Sequence, residues 1–540
     1  MKDISSTGSF INFYLNNYIY VDKTKYIRDL IKLERVFISR PRRFGKSLTL
    51  DTIATLFETG VEPYFKGTWI YDKWTEPTYP VLRLNFLNFD KNSLEKFNNK
   101  LNSKITEFAE LNHVTTFKEK EEAEDSIDHL LEQLRLENRQ IVILIDEYDC
   151  QMTANINNET LYKQFQEKIT SFYATIKNKW PIKFLGITGV TRLKDVEIFS
   201  IGSDIRDITN ASAYSQMIGF TRDEIKRYYI DYLTLAASYE NKCRVEEVTD
   251  TQIESMLDMM AQNYDGYCFD EFYKKKVFST WSVNSFFQSI IENKFVYFDE
   301  YWYDNGGLPS ILVNYLKTHE LNIFEYLDKD KFLKVSSDDF KNPTALTTIN
   351  QNVLMCQTGY LTLRSDLKKS STVLLGIPNG EIYKALNRLL AKNIFKGNSD
   401  VTDDQGKNLL EVGSVDDIIN LFNCALNSVS YDNYPIVSES SVQNMLKLYL
   451  LGAHQEVLSE VHEAKGRADL VVNTDNKRIV FEFKYAKNET EAKSKLSEAV
   501  EQIKSRDYGN ILPKKNELLR IAAVFNADPK VRAFTEYQEV

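Results

Sequence analysis

The chain has 540 residues, which is too long for a single hydrophobic core, so about two to four domains are expected. Hydrophobic residues make up 43% and charged residues 27%, which is typical of a globular protein, and no apolar run is long enough to predict a membrane span. The net charge of −10 argues against a protein coated in nucleic acid, although a local basic groove matters more than the total. The first residues lack the apolar core and cleavage site of a signal peptide, so we expect a cytoplasmic protein with no membrane partner.

Cysteine and histidine are too dispersed along the chain to predict a zinc site. The odd number of cysteines and their wide spacing are typical of reduced thiols in a cytoplasm. A metal site would therefore be built from carboxylates, which favours Mg²⁺ or Mn²⁺. The residues concerned are Cys150, Cys243, Cys268, Cys356, Cys424, His113, His129, His319, His454 and His462.

The first part of the chain, residues 1–221, has the pattern of an α/β domain. Short apolar runs alternate with helical patterns and are bounded by polar loops, as expected of buried parallel strands. We predict four such strands, within residues 35–40, 80–86, 140–149 and 182–190.

A phosphate-binding loop follows the first of these strands. Gly45, Lys46 and Ser47 are the end of a Walker A motif, in which the lysine reaches the β- and γ-phosphates and the serine holds Mg²⁺. The first glycine of the full motif is replaced by Arg40, which weakens the motif taken alone. The backbone amides of the loop and of the following helix would hold phosphate oxygens.

The residues between Arg40 and Gly45 extend this predicted nucleotide site. Arg42, Arg43 and Phe44 are assigned to it, and Arg40 is a further candidate for neutralising phosphate charge. The alternative for the arginines is a solvated basic turn.

Two later strands end in polar residues that would complete the site. Asp146 follows a buried strand and is placed to bind Mg²⁺, and Glu147 is placed to polarise the attacking water. An N-cap role for the aspartate is the alternative. Thr188, near the end of the fourth strand, is a candidate contact to the γ-phosphate or the water, although threonine is also common in strands.

The middle of the chain, residues 222–415, is rich in tyrosine and phenylalanine. Helical periodicity is clear in residues 221–235 and 283–294, so a helical region is predicted. We expect its rings to be buried between the outer domains or against a partner subunit, and the region to transmit the nucleotide state.

The last part, residues 416–540, follows a helix–strand–strand–strand–helix pattern. Its third strand carries Glu482 and Lys484 on one face, and polar groups there are costly to bury unless they are paired. Asp469 lies on the preceding strand, so Asp469 and Glu482 could jointly hold a divalent metal while Lys484 activates a water. An exposed ion pair on an edge strand is the alternative.

Further polar residues could join this second site. Glu439, at the start of the preceding helix, is assigned to the metal, and Glu460 is another carboxylate that could converge there. Gln502 and Tyr508, on or just after the last helix, are candidates for contact with nucleic-acid phosphate.

The chain resembles bacterial and archaeal proteins in which an AAA-ATPase-like domain precedes a PD-(D/E)XK nuclease domain. In that family the first Walker A glycine is routinely replaced, so Arg40 is in keeping with it. The resemblance implies ATP and Mg²⁺ or Mn²⁺ as cofactors and a P-loop sheet, a helical middle region and a small α/β nuclease fold. The matching segments are YVDKTKYI (20–27), SRPRRFGKSL (39–48), LIDEYD (144–149), GITGVTRL (186–193), IGFTRDEI (218–225), YDGYCF (264–269), YWYDNGG (301–307), TGYLTL (358–363), GIPNGEI (376–382), SEVHEAKGRADLVV (459–472) and FEFKY (481–485).

Two classes of function remain open at this point. The first is an enzyme in which ATP binding or hydrolysis controls metal-dependent cleavage of nucleic acid, DNA rather than RNA, in defence or mobile-element biology. The second is an ATP-driven switch or homo-oligomerising module whose nuclease-like domain only binds nucleic acid or a protein.

Overall fold

The computed structural model describes residues 1–193, 204–302, 310–316, 319, 323–343, 345–346, 348–395, 404–453, 455–463 and 465–540. The chain forms two compact units: Met1–Leu321 with Asp330–Ile382, and Asn322–Lys329 with Tyr383–Val540. The predicted boundaries at 221/222 and 415/416 are not the boundaries between these units, and the division into three regions stays a prediction. Most of the middle region belongs to the same unit as the N-terminal sheet.

The first unit is built around a five-stranded parallel sheet with the order β2-β3-β4-β1-β5. Every residue of β1 and β3 is buried, which explains their continuous Val/Ile/Leu-rich sequences. All four predicted strands are present. The strands are β1 (Arg35–Ser39), β2 (Val81–Asn85), β3 (Ile141–Asp146), β4 (Ile182–Gly189) and β5 (Arg206–Asp207).

Seven helices accompany this sheet in the described part of residues 1–221. Helix α3 starts at the lysine of the phosphate-binding loop, and α4, α5 and α7 each bury one apolar face. The helices are α1 (Phe10–Leu15), α2 (Thr24–Ile31), α3 (Lys46–Thr59), α4 (Leu94–Leu111), α5 (Ala123–Leu136), α6 (Cys150–Ala154) and α7 (Glu159–Ile176).

The middle region is mainly helical, as predicted, but it also contains a small sheet that the sequence did not predict. Strands β6 (Leu333–Ser336), β7 (Thr362–Leu363) and β8 (Thr372–Gly376) are antiparallel in the order β6-β8-β7, and at two to five residues they are too short to show a period. The helices are α8 (Arg222–Tyr228), α9 (Ile230–Asn241), α10 (Asp250–Tyr264), α11 (Thr280–Asn293), α12 (Ser310–Leu316), α13 (Ser337–Lys341), α14 (Gln351–Thr358) and α15 (Gly380–Ile394). Of the segment YWYDNGG, residues 303–307 lie outside the described residues.

Several aromatic rings between residues 229 and 298 are buried inside the first unit, whereas we expected the rings of the middle region to lie between the outer domains or against a partner subunit. Tyr229 stacks on Phe287 with ring centroids 5.3 Å apart, and Phe286 stacks on Phe298 at 5.0 Å. They share one core with Ile19 and other residues of the N-terminal segment. This packing attaches these residues of the middle region to the N-terminal part of the chain.

The second unit contains a mixed five-stranded sheet with the order β13-β12-β11-β10-β9, in which only β11 and β12 pair in parallel. The last two strands were not predicted. Its later elements are α16 (Asp404–Val412), α17 (Val415–Asn427), α18 (Glu439–Gly452), β9 (Glu456–Glu463), β10 (Gly466–Asn473), β11 (Lys477–Ala486), α19 (Glu489–Arg506), β12 (Glu517–Asn526) and β13 (Ala533–Glu539). Helix α19 joins the parallel pair and buries Ala499 and Ile503 in the core beneath it. No helix in the described ranges is both long and apolar enough to cross a membrane.

Candidate nucleotide and metal sites

The phosphate-binding loop lies between β1 and α3 and ends at Gly45. This glycine has φ +101°, a conformation that favours glycine, and it caps helix α3. Lys46 is only 4% exposed, and its Nζ donates to the carbonyl oxygens of Arg40 at 3.0 Å and Pro41 at 3.1 Å. The ammonium group is therefore held against the loop beside the first amides of the helix.

Asp146 connects the three strand ends that the sequence predicted to converge. Its Oδ2 accepts a hydrogen bond from Ser47 Oγ at 2.6 Å, and its Oδ1 accepts one from Thr188 Oγ1. The strand order accounts for this geometry, because β4 lies between β1 and β3. Asn85 also approaches Asp146 Oδ2 at 3.5 Å from the end of β2, a contact that the sequence analysis missed.

Glu147 faces the lysine of the loop. Its Oε1 lies 3.7 Å from Lys46 Nζ, and its backbone has the unusual φ of +54°. Burial raises the pKa of Glu147, and the charge of Lys46 works in the opposite direction. A carboxylate with a raised pKa beside the phosphate site has the chemistry expected of a group that accepts a proton from water.

Arg40 is buried and does not face the phosphate position. Both interpretations offered for it from the sequence, a group that neutralises phosphate and part of a solvated basic turn, are therefore wrong. Its guanidinium donates to the carbonyl oxygens of Ser39 at 2.9 Å and Thr209 at 2.6 Å and lies 4.1 Å from the ring centroid of Phe269. Burial lowers its pKa to about 9. Arg40 is a structural residue because the middle region covers it, a long-range effect that no local motif reveals.

The other loop residues divide into those that anchor the loop and those that face the cavity. The ring of Phe44 is buried against Tyr267 with centroids 4.7 Å apart, so only its backbone is available to a nucleotide. Arg42 is half-buried, and Arg43 is exposed with its guanidinium 4.0 Å from the ring centroid of Trp281.

A cavity of about 480 Å³ opens beside this loop, within the size range of small-molecule sites. Its walls include Arg42, Arg43, Lys46, Ser47 and Glu147, together with residues 5–8, 19–21 and 217–220. The cavity is large enough for a ligand whose charged end meets the loop and whose apolar part meets the N-terminal segment.

Asp149 is a residue near this site that the sequence analysis did not single out. It is buried, and its carboxylate accepts hydrogen bonds from the backbone amide and hydroxyl of Thr191 and from the amide of Val190 at 3.3 Å. These bonds hold the end of β4 beside β3 and so position Thr188. Its position three residues after Asp146 is the sequence feature that could have identified it as part of the site.

The second candidate site lies on β10 and β11, at the predicted carboxylates. Leu470 pairs with Phe481, so Asp469 and Glu482 are the next residues along the antiparallel ladder. Asp469 Oδ2 accepts a hydrogen bond from the Phe483 amide at 2.8 Å. Lys484 is the third predicted residue of this site, and its Nζ donates to Glu482 Oε1 at 2.8 Å.

Glu482 is 0% exposed, and its Oε2 is buried with no hydrogen-bond partner among the described residues. Burial, followed by the charge of Asp469, raises the pKa of Glu482 to about 7. Burial likewise raises the pKa of Asp469 to about 6. Burial alone would lower the pKa of Lys484, but its bond to Glu482 and the nearby carboxylates raise it overall.

These carboxylates fit a divalent cation because the cation would give Glu482 Oε2 the partner that it lacks. Glu439, which was predicted to join the metal ligands, instead approaches Lys484 Nζ at 3.5 Å. In the ranges that the structure describes, no group of three or more His, Cys, Asp or Glu side chains is arranged to hold a metal. The arrangement is therefore a pair of carboxylates with a lysine.

Gln443, one helical turn after Glu439, also belongs to this site and was missed. Its amide donates to the carbonyl oxygen of Asp469 and to Glu460 Oε1 at 3.2 Å. It fixes the backbone that carries Asp469, while Glu460 is further paired with Arg467 and is close enough for its charge to raise the pKa of Asp469.

The two predicted contacts to nucleic acid lie close to each other but differ in exposure. Tyr508 is 0% exposed, so its ring cannot contact a substrate in this structure, which corrects that prediction. Its hydroxyl accepts hydrogen bonds from Arg506 at 2.9 Å and Gln502 at 3.4 Å. Arg506 and Gln502 are the polar groups of this cluster nearer to the surface.

Comparison with known proteins agrees with this division of sites. Residues 5–199 match the family model described as a predicted AAA-ATPase, and residues 437–534 match the PD-(D/E)XK nuclease superfamily, so the predicted resemblance and fold class are confirmed. A relative described as "Uncharacterized protein in vnfD 5'region", from Azotobacter chroococcum mcd 1, is 25% identical over 533 residues, 95% of this chain and 94% of the relative. The crystal structure of Cdc6p from Pyrobaculum aerophilum is 12% identical with a TM-score of 0.23, covering 68% of this chain and 93% of that chain. So low a TM-score supports no argument.

Proposed function

We propose, on the premise of an AAA-ATPase-like region followed by a PD-(D/E)XK nuclease-superfamily region, that this protein binds and hydrolyses ATP and cleaves phosphodiester bonds of nucleic acid with a divalent metal. The nucleotide state of the first site would control cleavage at the second. The proposal extends to DNA as the substrate, a cytoplasmic homo-oligomer, and a role in defence or mobile-element biology, of which the last rests on the resemblance.

At the nucleotide site, the proposed roles follow from charge and position. Lys46 would exchange its two carbonyl partners for the β- and γ-phosphates, with the adjacent helix amides binding phosphate oxygens. Ser47 and Asp146, already hydrogen-bonded to each other, would hold Mg²⁺. Glu147 would accept the proton of the attacking water, and Thr188 would orient that water or the γ-phosphate.

At the second site, Asp469 and Glu482 would bind Mg²⁺ or Mn²⁺, an ion that supplies a nucleophilic water at neutral pH and neutralises phosphate charge. Lys484 would hold the water and the developing negative charge. Glu439 would keep the ammonium group of Lys484 in place. Gln502 is the remaining candidate for binding the substrate backbone.

One observation supports the nuclease proposal most strongly: the orphaned Oε2 of the fully buried Glu482. A carboxylate oxygen in that position costs several kcal/mol unless something pairs with it, and a bound cation would do so. A structural ion pair alone would leave this oxygen unexplained.

The test is cleavage of supercoiled plasmid, single-stranded DNA and RNA with Mg²⁺ or Mn²⁺, each with ATP, with a non-hydrolysable ATP analogue and without nucleotide. We expect metal-dependent cleavage that Asp469→Ala abolishes, with Glu456→Gln, an exposed change in the same sheet, as the matched control. If Asp469→Ala cuts as fast as wild type, the nuclease assignment is wrong. Nucleic-acid binding without any cleavage would instead favour the switch or binding module.

A further inference from the structure

The conformation of the phosphate-binding loop is set by residues more than two hundred positions away in the chain. The carbonyl oxygen of Arg43 accepts hydrogen bonds from Thr280 Oγ1 at 2.9 Å and the Trp281 amide at 3.3 Å. The carbonyl oxygen of Arg42 accepts one from Trp302 Nε1 at 3.2 Å. Arg43 also has φ +69°, which a non-glycine residue adopts only where its surroundings impose it.

The segment with Thr280 and Trp281 and the segment with Trp302 are both linked by hydrogen bonds to one buried carboxyl group. Glu381 is 1% exposed; its Oε1 accepts from the Trp302 amide at 2.8 Å and its Oε2 is 2.7 Å from Ser282 Oγ. Ser282 directly follows the two residues that bind Arg43. Glu381 therefore ties the segment above Arg42 to the segment above Arg43.

The surroundings of Glu381 favour its neutral form. Burial raises its pKa to about 8, with smaller contributions from Glu300 and Asp299, while the hydrogen bonds from the Trp302 amide and from Ser282 lower it. The charge of Glu381 in turn raises the pKa of three nearby phenols, Tyr264, Tyr267 and Tyr301. Ser282 Oγ donates to Glu381 Oε2, and an ionised carboxylate accepts this bond and the one from the Trp302 amide as well as a neutral carboxyl group does.

We propose that Glu381 is a positioning residue of the nucleotide site, which sets the backbone of Arg42 and Arg43 for phosphate binding by holding Trp302 and Ser282. The inference rests on the proposed ATPase function and deepens it. The segment GIPNGEI, to which the sequence analysis gave no role, would thus serve the phosphate-binding loop. Glu381 does not touch the nucleotide and acts only through these two residues.

The experiment measures ATP hydrolysis by the full-length protein and binding of a fluorescent ATP analogue. Glu381→Ala removes both interactions, so we expect KM and the dissociation constant to rise about tenfold with kcat nearly unchanged, because the loop binds the ground state and transition state alike. Glu381→Gln keeps an acceptor for the Trp302 amide and a donor for Ser282. It should therefore restore the affinity that Glu381→Ala loses and match wild type.

Three further variants make each outcome decisive. Trp302→Phe keeps an aromatic ring, although a smaller one, and removes the indole N–H that donates to Arg42, so it should weaken binding even if Glu381→Ala does not fold. Glu110→Gln, an exposed change on α4, is the control and should behave as wild type. Affinity within twofold of wild type in folded Glu381→Ala or in Trp302→Phe, or an affinity of Glu381→Gln as low as that of Glu381→Ala, would overturn the inference. If Lys46→Ala hydrolyses ATP as fast as wild type, the ATPase proposal itself has failed.

Discussion

Replacing Glu482 by glutamine should stabilise the metal-free protein above pH 7 and remove its response to divalent metal. The physical reason is the burial of a carboxyl group whose pKa is raised from 4.5 to about 7 in the folded protein. The folded state then binds this proton more tightly than the unfolded state does. The resulting penalty is absent below the unfolded pKa, grows as pH rises from about 4.5 to 7, and is complete above 7.

The size of the effect follows from the shift. One pKa unit corresponds to about 1.4 kcal/mol, so ionised Glu482 costs on the order of 3 kcal/mol. Glutamine removes that cost but leaves Lys484 without its closest carboxylate, 2.8 Å away. We therefore expect a net stabilisation of roughly 1–3 kcal/mol at pH 8.

The assay is thermal unfolding at pH 6 and pH 8, after treatment with a chelator and again after addition of Mn²⁺. Wild type should lose more stability than Glu482→Gln between pH 6 and 8 and regain it with Mn²⁺, whereas Glu482→Gln should not respond to the ion. Glu456→Gln should follow wild type throughout. Equal unfolding temperatures of wild type and Glu482→Gln at pH 8 without metal would refute the burial argument, and an undiminished Mn²⁺ response would show that Glu482 is not a ligand.

Four other outcomes are expected. Lys46→Ala should abolish ATP hydrolysis and weaken ATP binding, whereas Glu147→Gln should slow hydrolysis and leave binding largely intact, as steady-state turnover and nucleotide titration will report. Lys484→Ala should still bind Mn²⁺ by calorimetry but lose plasmid cleavage. Because both carboxylates must be ionised, with pKa values of about 6 and 7, Mn²⁺ affinity should fall roughly 20-fold from pH 8 to pH 6; a flat profile would contradict the site. Gly359→Ala, at φ +97° with its new Cβ 2.8 Å from Pro41 Cβ, should lower ATP affinity and the unfolding temperature.

The sequence was most informative where function depends on neighbouring strand ends. Ser47, Asp146 and Thr188 could be placed together because the carboxyl ends of parallel strands share one edge of a sheet. Asp469 and Glu482 could be paired because two adjacent strands alternate with a period of two. Both arguments need only local pattern and one assumed strand pairing.

Two of the wrong predictions depend on contacts that are distant in the chain. Arg40 looked like a phosphate ligand because nothing near it in sequence indicates Phe269 or Thr209, which cover it. Tyr508 looked available to substrate because its burial depends on strands that the sequence analysis did not identify. Strand β12 was missed since most of its residues are buried on both faces, so it shows no alternation.

The unit that carries Glu482 is not a continuous stretch of chain. Residues 322–329 belong to it although some fifty residues of the other unit, 330–382, follow them, and the Tyr383 hydroxyl donates to the Leu327 carbonyl oxygen at 2.9 Å. A gene fragment beginning at codon 383 or 416 would encode this unit without one of its parts.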